Sequence, residues 1–181
     1  MFVALLLSRF FCISVSSLFT EAIEANDFQK VKLLVQNGHD INGFFEKSAK
    51  STMVDYAEGD TPLTFASKQG KLEMVEVLIS MNAEVNKMNR WNDTPLEKAC
   101  AFENTDVVKV LLKNNADVNK SYRNRFVGSP VFFAFLKKNY ELADLLIHSG
   151  AKLSQRSIEM SKKMYSTDFQ FLEFLEKNVA P

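Results

Sequence analysis

Two cysteines and two histidines are the only thiols and imidazoles in the 181 residues of the chain: Cys12, Cys100, His39 and His148. Metal ligation or thiol–imidazole catalysis requires such groups at matched spacings. The sequence has no Cys-X-X-Cys, no His-Glu-X-X-His, no nucleophile-elbow serine and no phosphate-cradling glycine loop. His39 falls in a turn and His148 ends a helical pattern, and neither shares a register or a carboxylate partner with the other. Both read as solvated or capping side chains. Cys100 follows Leu96 and Ala99 at helical spacing and reads as a small apolar core group. The acidic residues scatter along helix surfaces, where solvation and i,i+4 pairing account for them. No catalytic residue, metal site or cofactor is expected, and the chain is not expected to be an enzyme.

Residues suited to recognition are more concentrated. The stretch Lys87-Met88-Asn89-Arg90-Trp91-Asn92-Asp93 carries the sole tryptophan. A second stretch runs Lys120-Ser121-Tyr122-Arg123-Asn124-Arg125-Phe126-Val127-Gly128. Both mix arginine with large aromatics, the side chains enriched at interface hot spots. They supply Met88, Arg90, Trp91, Asp93, Tyr122, Arg123, Arg125 and Phe126 as candidate contacts, with packing of Trp91 on an adjacent loop as the competing reading. A third stretch, 43–56, contributes Phe44, Phe45 and Tyr56. Its aromatics read equally as a protruding finger or as a segment folded back on the preceding unit.

These stretches are positioned by a repeat. Asp60-Thr61-Pro62-Leu63 recurs as Asp93-Thr94-Pro95-Leu96, and Asn82-Ala83-Glu84-Val85-Asn86 as Asn115-Ala116-Asp117-Val118-Asn119, each 33 residues on (94 − 61 and 115 − 82). Two independent motifs with one period mark a duplicated unit. Weaker copies end at Gly38-His39-Asp40-Ile41-Asn42 and Gly150-Ala151-Lys152-Leu153-Ser154. Within a unit, Thr61 or Thr94 is an N-cap and the following proline takes the first helical position, where its missing N–H costs nothing. Gly70 ends the first helix. Leu72, Val75, Leu78 and Ile79 then recur at the 3–4 spacing of a second helix. Gly38, Asn82, Asn115 and Gly150 align where a left-handed residue closes that helix. From Asn42 to Thr61 the chain spans 19 residues where Asn86 to Thr94 spans 8, an insertion of 11.

These motifs resemble the ankyrin repeat, with its Thr-Pro-Leu-His at the first helix and Gly-Ala-Asp-Val-Asn after the second. The match is strong over 59–119 and recognisable over 18–154. Thr64 and Glu97 stand where the family has His, and Asn82 and Asn115 where it has Gly. The resemblance implies an all-α solenoid of about five helix-turn-helix units with short β-hairpin-like turns. The repeats are expected over 18–42, 57–88, 89–122 and 123–154, with a C-terminal cap at 155–178. In that cap Ile158, Met160 and Met164, then Phe171, Leu172, Phe174 and Leu175, are expected to face inward. The resemblance also implies a non-catalytic module that binds a protein partner through its turn tips and concave helix surface. Helix-one positions Lys68, Gln69, Ala101, Phe102, Leu136 and Lys137 would face that groove, and Lys68 and Phe102 join the candidate contacts.

Lys plus Arg and Asp plus Glu both number 22, so no net charge favours nucleic acid, and none is expected as a partner. Residues 1–17 are apolar, interrupted by Arg9, with small residues at Ser14-Val15-Ser16-Ser17. They read as an export signal removed at about Ser17, although no basic residue precedes the apolar run. An uncleaved anchor and an intracellular leader are the alternatives. The expectation is a monomeric, secreted or periplasmic adaptor or inhibitor without stable membrane insertion, with a cytoplasmic location as the alternative. An immunity-type or regulatory subunit and a structural cell-envelope module remain as other functional readings.

Overall fold

The computed structural model describes residues 18–46, 57–120, 128–153 and 155–178. Helical pairs follow one another along the chain. α1 occupies 18–24 and α2 Phe28–Gln36; α3 Pro62–Lys68 and α4 Leu72–Ser80; α5 Pro95–Ala101 and α6 Thr105–Lys113. α7 Pro130–Leu136 pairs with α8 Tyr140–His148, and α9 Gln155–Met164 with α10 Phe169–Asn178. No strand occurs among the described residues.

The start of each first helix is set by its cap. The hydroxyls of Thr61, Thr94 and Ser129 accept the backbone N–H three residues on, at 3.1, 3.1 and 3.2 Å. A proline follows each cap. Eight residues after the proline the chain reverses through a positive φ at Gly70, Glu103 or Lys138. Second helices end the same way, at Gly38, Asn82, Asn115 and Gly150, with φ between 63° and 93°. All four positions aligned in the sequence are therefore left-handed.

The two rows bury different fractions of their surface. α3 is inaccessible over Pro62–Ser67, since it is enclosed by α4, by α5 and by the chain before it. The second helices bury one stripe each: Met74, Val75 and Leu78 in α4, Val107, Val108 and Leu111 in α6, Leu142, Ala143 and Leu146 in α8. α3, α5 and α7 pack side by side, and α4 packs on α6, so neighbouring units share one core. A ladder of asparagines ties the same units on the solvent side. Asn42 Oδ1 accepts from the Glu84 N–H, Asn86 Oδ1 from the Asp117 N–H and Asn119 Oδ1 from the Lys152 N–H, each at 2.8 Å.

The last unit departs from its sequence reading at one position. Phe171 and Leu175 are buried, with Phe171 edge-on to Phe135 at 5.1 Å. In α9, however, Ser161 is the enclosed residue and Met164 is half exposed. The buried stripe of α9 therefore passes through Ser161 rather than Met164.

Candidate functional site

The described part of the candidate surface begins at the turn before α5. Asn89, only 3% exposed, organises it. Its Oδ1 accepts from the Trp91 and Asp93 N–H groups at 3.0 and 2.8 Å, and its Nδ2 donates to Asp60 Oδ1 at 2.6 Å. The backbone closes the turn through Asn89 N–H to Asp93 O at 2.9 Å. One short side chain thus fixes the tip and ties it to the preceding repeat, a role the sequence reading did not assign.

That geometry presents Trp91 outward. The ring is 66% exposed, yet its N–H donates to the Glu58 carbonyl oxygen at 3.1 Å. The indole crosses Gly59, where a Cβ would stand 3.0 Å from Nε1. Trp91 is therefore packed on the adjacent loop through one edge and open to solvent over the rest of its ring. A large aromatic held in place before contact loses little freedom on binding.

Arg90 points to the inserted segment. Its two terminal nitrogens donate to the two carboxylate oxygens of Glu46, one of them Nη1 to Oε2 at 3.1 Å, and this carboxylate holds the guanidinium pKa above its ordinary value. The guanidinium carbon lies 5.4 Å from the Phe44 ring centroid, and Lys87 Nζ lies 5.6 Å from it. Phe44 is 36% exposed under these two cations.

Phe45 is a correction to the set of contact residues. It is 3% exposed and sits between Phe19 and Phe65, at 6.3 and 5.8 Å. Its backbone exchanges bonds with the next repeat: Phe45 N–H to Asp60 O and Gly59 N–H to Phe45 O, both at 2.8 Å. Consecutive residues of an extended segment face opposite ways, so Phe44 and Phe45 cannot both be surface groups. The start of the insertion is folded back, and Phe45 belongs to the core.

Ion pairs occupy two further candidates. Lys68 lies 3.9 Å from Asp60, and Lys98 lies 2.6 Å from Asp93. Burial pushes the Asp60 carboxyl up and the Lys68 ammonium down, so both charges are held at a desolvation cost. Lys68 also stands 5.9 Å from the centroid of the Phe102 ring, which is 52% exposed at the end of α5. Met88 is half-buried beside an open depression of about 510 Å³ that it lines with Glu84, Lys87 and Lys120. Tyr56, Tyr122, Arg123, Arg125 and Phe126 lie outside the described residues, as does the apolar stretch 1–17.

Groups that sequence reading considered for chemistry are placed as follows. Cys100 is buried, and desolvation pushes its thiol far above the usual range. His148 does have a carboxylate near it: Asp144, one turn earlier, lies 3.3 Å from Nδ1 on an exposed helix face. That neighbour was legible as an i,i+4 pair. Among the described residues no three His, Cys, Asp or Glu groups converge as a metal site would require. No helix among them is long and apolar enough to cross a membrane.

The repeat itself is matched by comparison. A family model of ankyrin repeats in three copies aligns with residues 19–122. No curated protein matches the chain.

Proposed function

Because the chain belongs to the ankyrin repeat family, whose repeats generally mediate protein–protein interaction, we propose that it is an adaptor or inhibitor that captures one protein partner on the face carrying Phe44, Arg90, Trp91 and Phe102. The observation that carries this reading is Trp91, two-thirds exposed yet held by its own N–H. Interface hot spots favour such rigid aromatics, and an exposed one contributes nothing to the core. The chain acts as a monomer, and residues 1–17 direct its export.

A crosslinking pull-down with Trp91→Ala combined with Arg90→Ala tests the site. Partner recovery should fall at least about tenfold, the scale of a hot-spot loss. Unchanged recovery would remove the tip from the interface. N-terminal sequencing of the mature protein tests export, with Leu18 or a near neighbour as the expected first residue.

A further inference from the structure

The turn that joins the two helices of a unit lies at the far end of those helices from the tip that carries Trp91. On this opposite edge the last two units differ from the others. Residues 137–138 and 162–169 hold four lysines, Lys137, Lys138, Lys162 and Lys163, against one carboxylate, Asp168. All four lysines are exposed, whereas Asp168 is enclosed by Lys138, the Tyr140 hydroxyl and the Phe171 N–H. Glu141, Glu159 and Glu173 stand back from these turns along α8, α9 and α10, so the turns themselves are net basic. The corresponding turns at 25–27, 69–71 and 102–104 carry a single lysine between them, Lys71.

Two apolar side chains stand on the same edge. Phe169 is 84% exposed, more than any other large apolar side chain among the described residues, and Met164 is 51% exposed. The Asp168 N–H donates to the Tyr165 carbonyl oxygen at 3.0 Å and closes the α9–α10 turn, so Met164 and Phe169 leave from its two ends. The Lys138–Asp168 pair, at 2.8 Å, holds the α7–α8 turn beside it. Behind the turn the Tyr165 and Phe171 rings pack at 4.8 Å, which anchors it to the core. A ring projecting from a turn needs a matching pocket in a rigid protein surface, whereas the headgroup region of a bilayer opens around it. Binding there grows with the apolar area that enters and with attraction between cations and anionic lipid.

We propose that this edge docks reversibly on an anionic lipid surface, with Phe169 and Met164 entering the headgroup region and Lys137, Lys162 and Lys163 meeting lipid phosphates. The Trp91 tip, at the other ends of the helices, stays free for a protein partner. Flotation of the full chain tests it, with vesicles of phosphatidylcholine alone and of phosphatidylcholine and phosphatidylglycerol in equal parts. Capture should be stronger on the anionic vesicles and fall as salt screens the lysines. Lys162→Gln with Lys163→Gln should weaken it about twentyfold, each lysine near an anionic surface being worth about fivefold. Phe169→Ala should weaken it about fivefold, and thermal melts should not change, because these side chains are exposed. Adsorption through residues 1–17 is common to all variants, so the differences between variants are the readout. Equal capture on the two vesicles, capture that persists in both variants, or no capture overturns the proposal. If vesicles are not captured while Lys162→Gln with Lys163→Gln lowers partner crosslinking, the edge serves a protein and the lipid occupant is wrong.

Discussion

The side-chain amide of Asn104 donates to the carbonyl oxygens of Ser67 and Lys68 in the preceding repeat, at 2.8 and 3.0 Å. Those carbonyls end α3, and the Ser67 oxygen also accepts from the Gly70 N–H at 3.3 Å. One period earlier, Lys71 does the same for α1, its Nζ lying 2.9 Å from the Glu24 carbonyl oxygen. Asn104→Ala should cost about 1–2 kcal/mol, the usual penalty for stranding partly buried acceptors. Asn104→Lys should recover part of it, because the lysine at the equivalent position already reaches back. Urea unfolding of the three proteins measures the difference, and equal stabilities would show that water satisfies α3.

Glu97 closes a reciprocal cap, accepting from the Thr94 N–H at 2.6 Å while Thr94 Oγ1 accepts from the Glu97 N–H at 3.1 Å. Burial pushes its carboxyl from 4.5 up to about 7. The folded state then holds this proton more tightly than the unfolded chain. Its contribution to stability is full below pH 4.5 and is lost as pH rises through about 7. Glu97→Gln retains the cap without the charge. It should flatten this part of the Tm-against-pH curve and exceed the parent above pH 7. Parallel curves for the two proteins would mean that the carboxylate ionises freely in place.

Asp168 gathers three contacts at the start of α10: Lys138 at 2.8 Å, the Tyr140 hydroxyl at 3.0 Å and the Phe171 N–H at 3.1 Å. Its carboxyl is held below the ordinary range, chiefly by the Lys138 hydrogen bond. The stabilisation is present above the ordinary carboxylate range and is lost as pH falls through the lowered value. Asp168→Ala should speed amide exchange in α9 and α10 while leaving α3–α6 unchanged, since repeats couple mainly to their neighbours. Uniform acceleration along the whole chain would contradict that locality.

Glu103 holds a left-handed backbone, φ 59°, at the position where the preceding repeat has Gly70. A non-glycine residue there costs about 1–2 kcal/mol, partly offset by the greater freedom of glycine in the unfolded chain. Glu103→Gly should therefore stabilise the fold by about 0.5 kcal/mol. A fall in Tm would reveal a favourable role for the Glu103 side chain.

Gly59 sits beneath the indole with φ +79°. Gly59→Ala should displace Trp91 and lower the steady-state anisotropy of its emission, which comes from a single tryptophan. Unchanged anisotropy would show that the ring is held from elsewhere.

The repeating parts of this fold were legible because their causes are local. Thr61, Thr94 and the prolines after them act within one turn, and Asn82 and Asn115 close their own helices. The candidate site was less legible because its partners are distant in sequence. Arg90 and Glu46 are joined across 44 residues, and Asn89 and Asp60 across 29. Phe44 and Phe45 looked alike as a pair, and only strand-like alternation separates the exposed ring from the buried one. In α9 the apolar Met164 was expected inside, whereas Ser161 is the buried residue.

The asparagine ladder has a mechanical consequence. Each of its bonds reaches only the next repeat, so a pull on the two ends loads the rungs in series rather than together. The weakest interface yields first and the others keep their bonds. A yielding repeat of 33 residues pays out about 110 Å of extended chain. Under tension the chain is expected to lengthen in steps, one repeat at a time, rather than all at once.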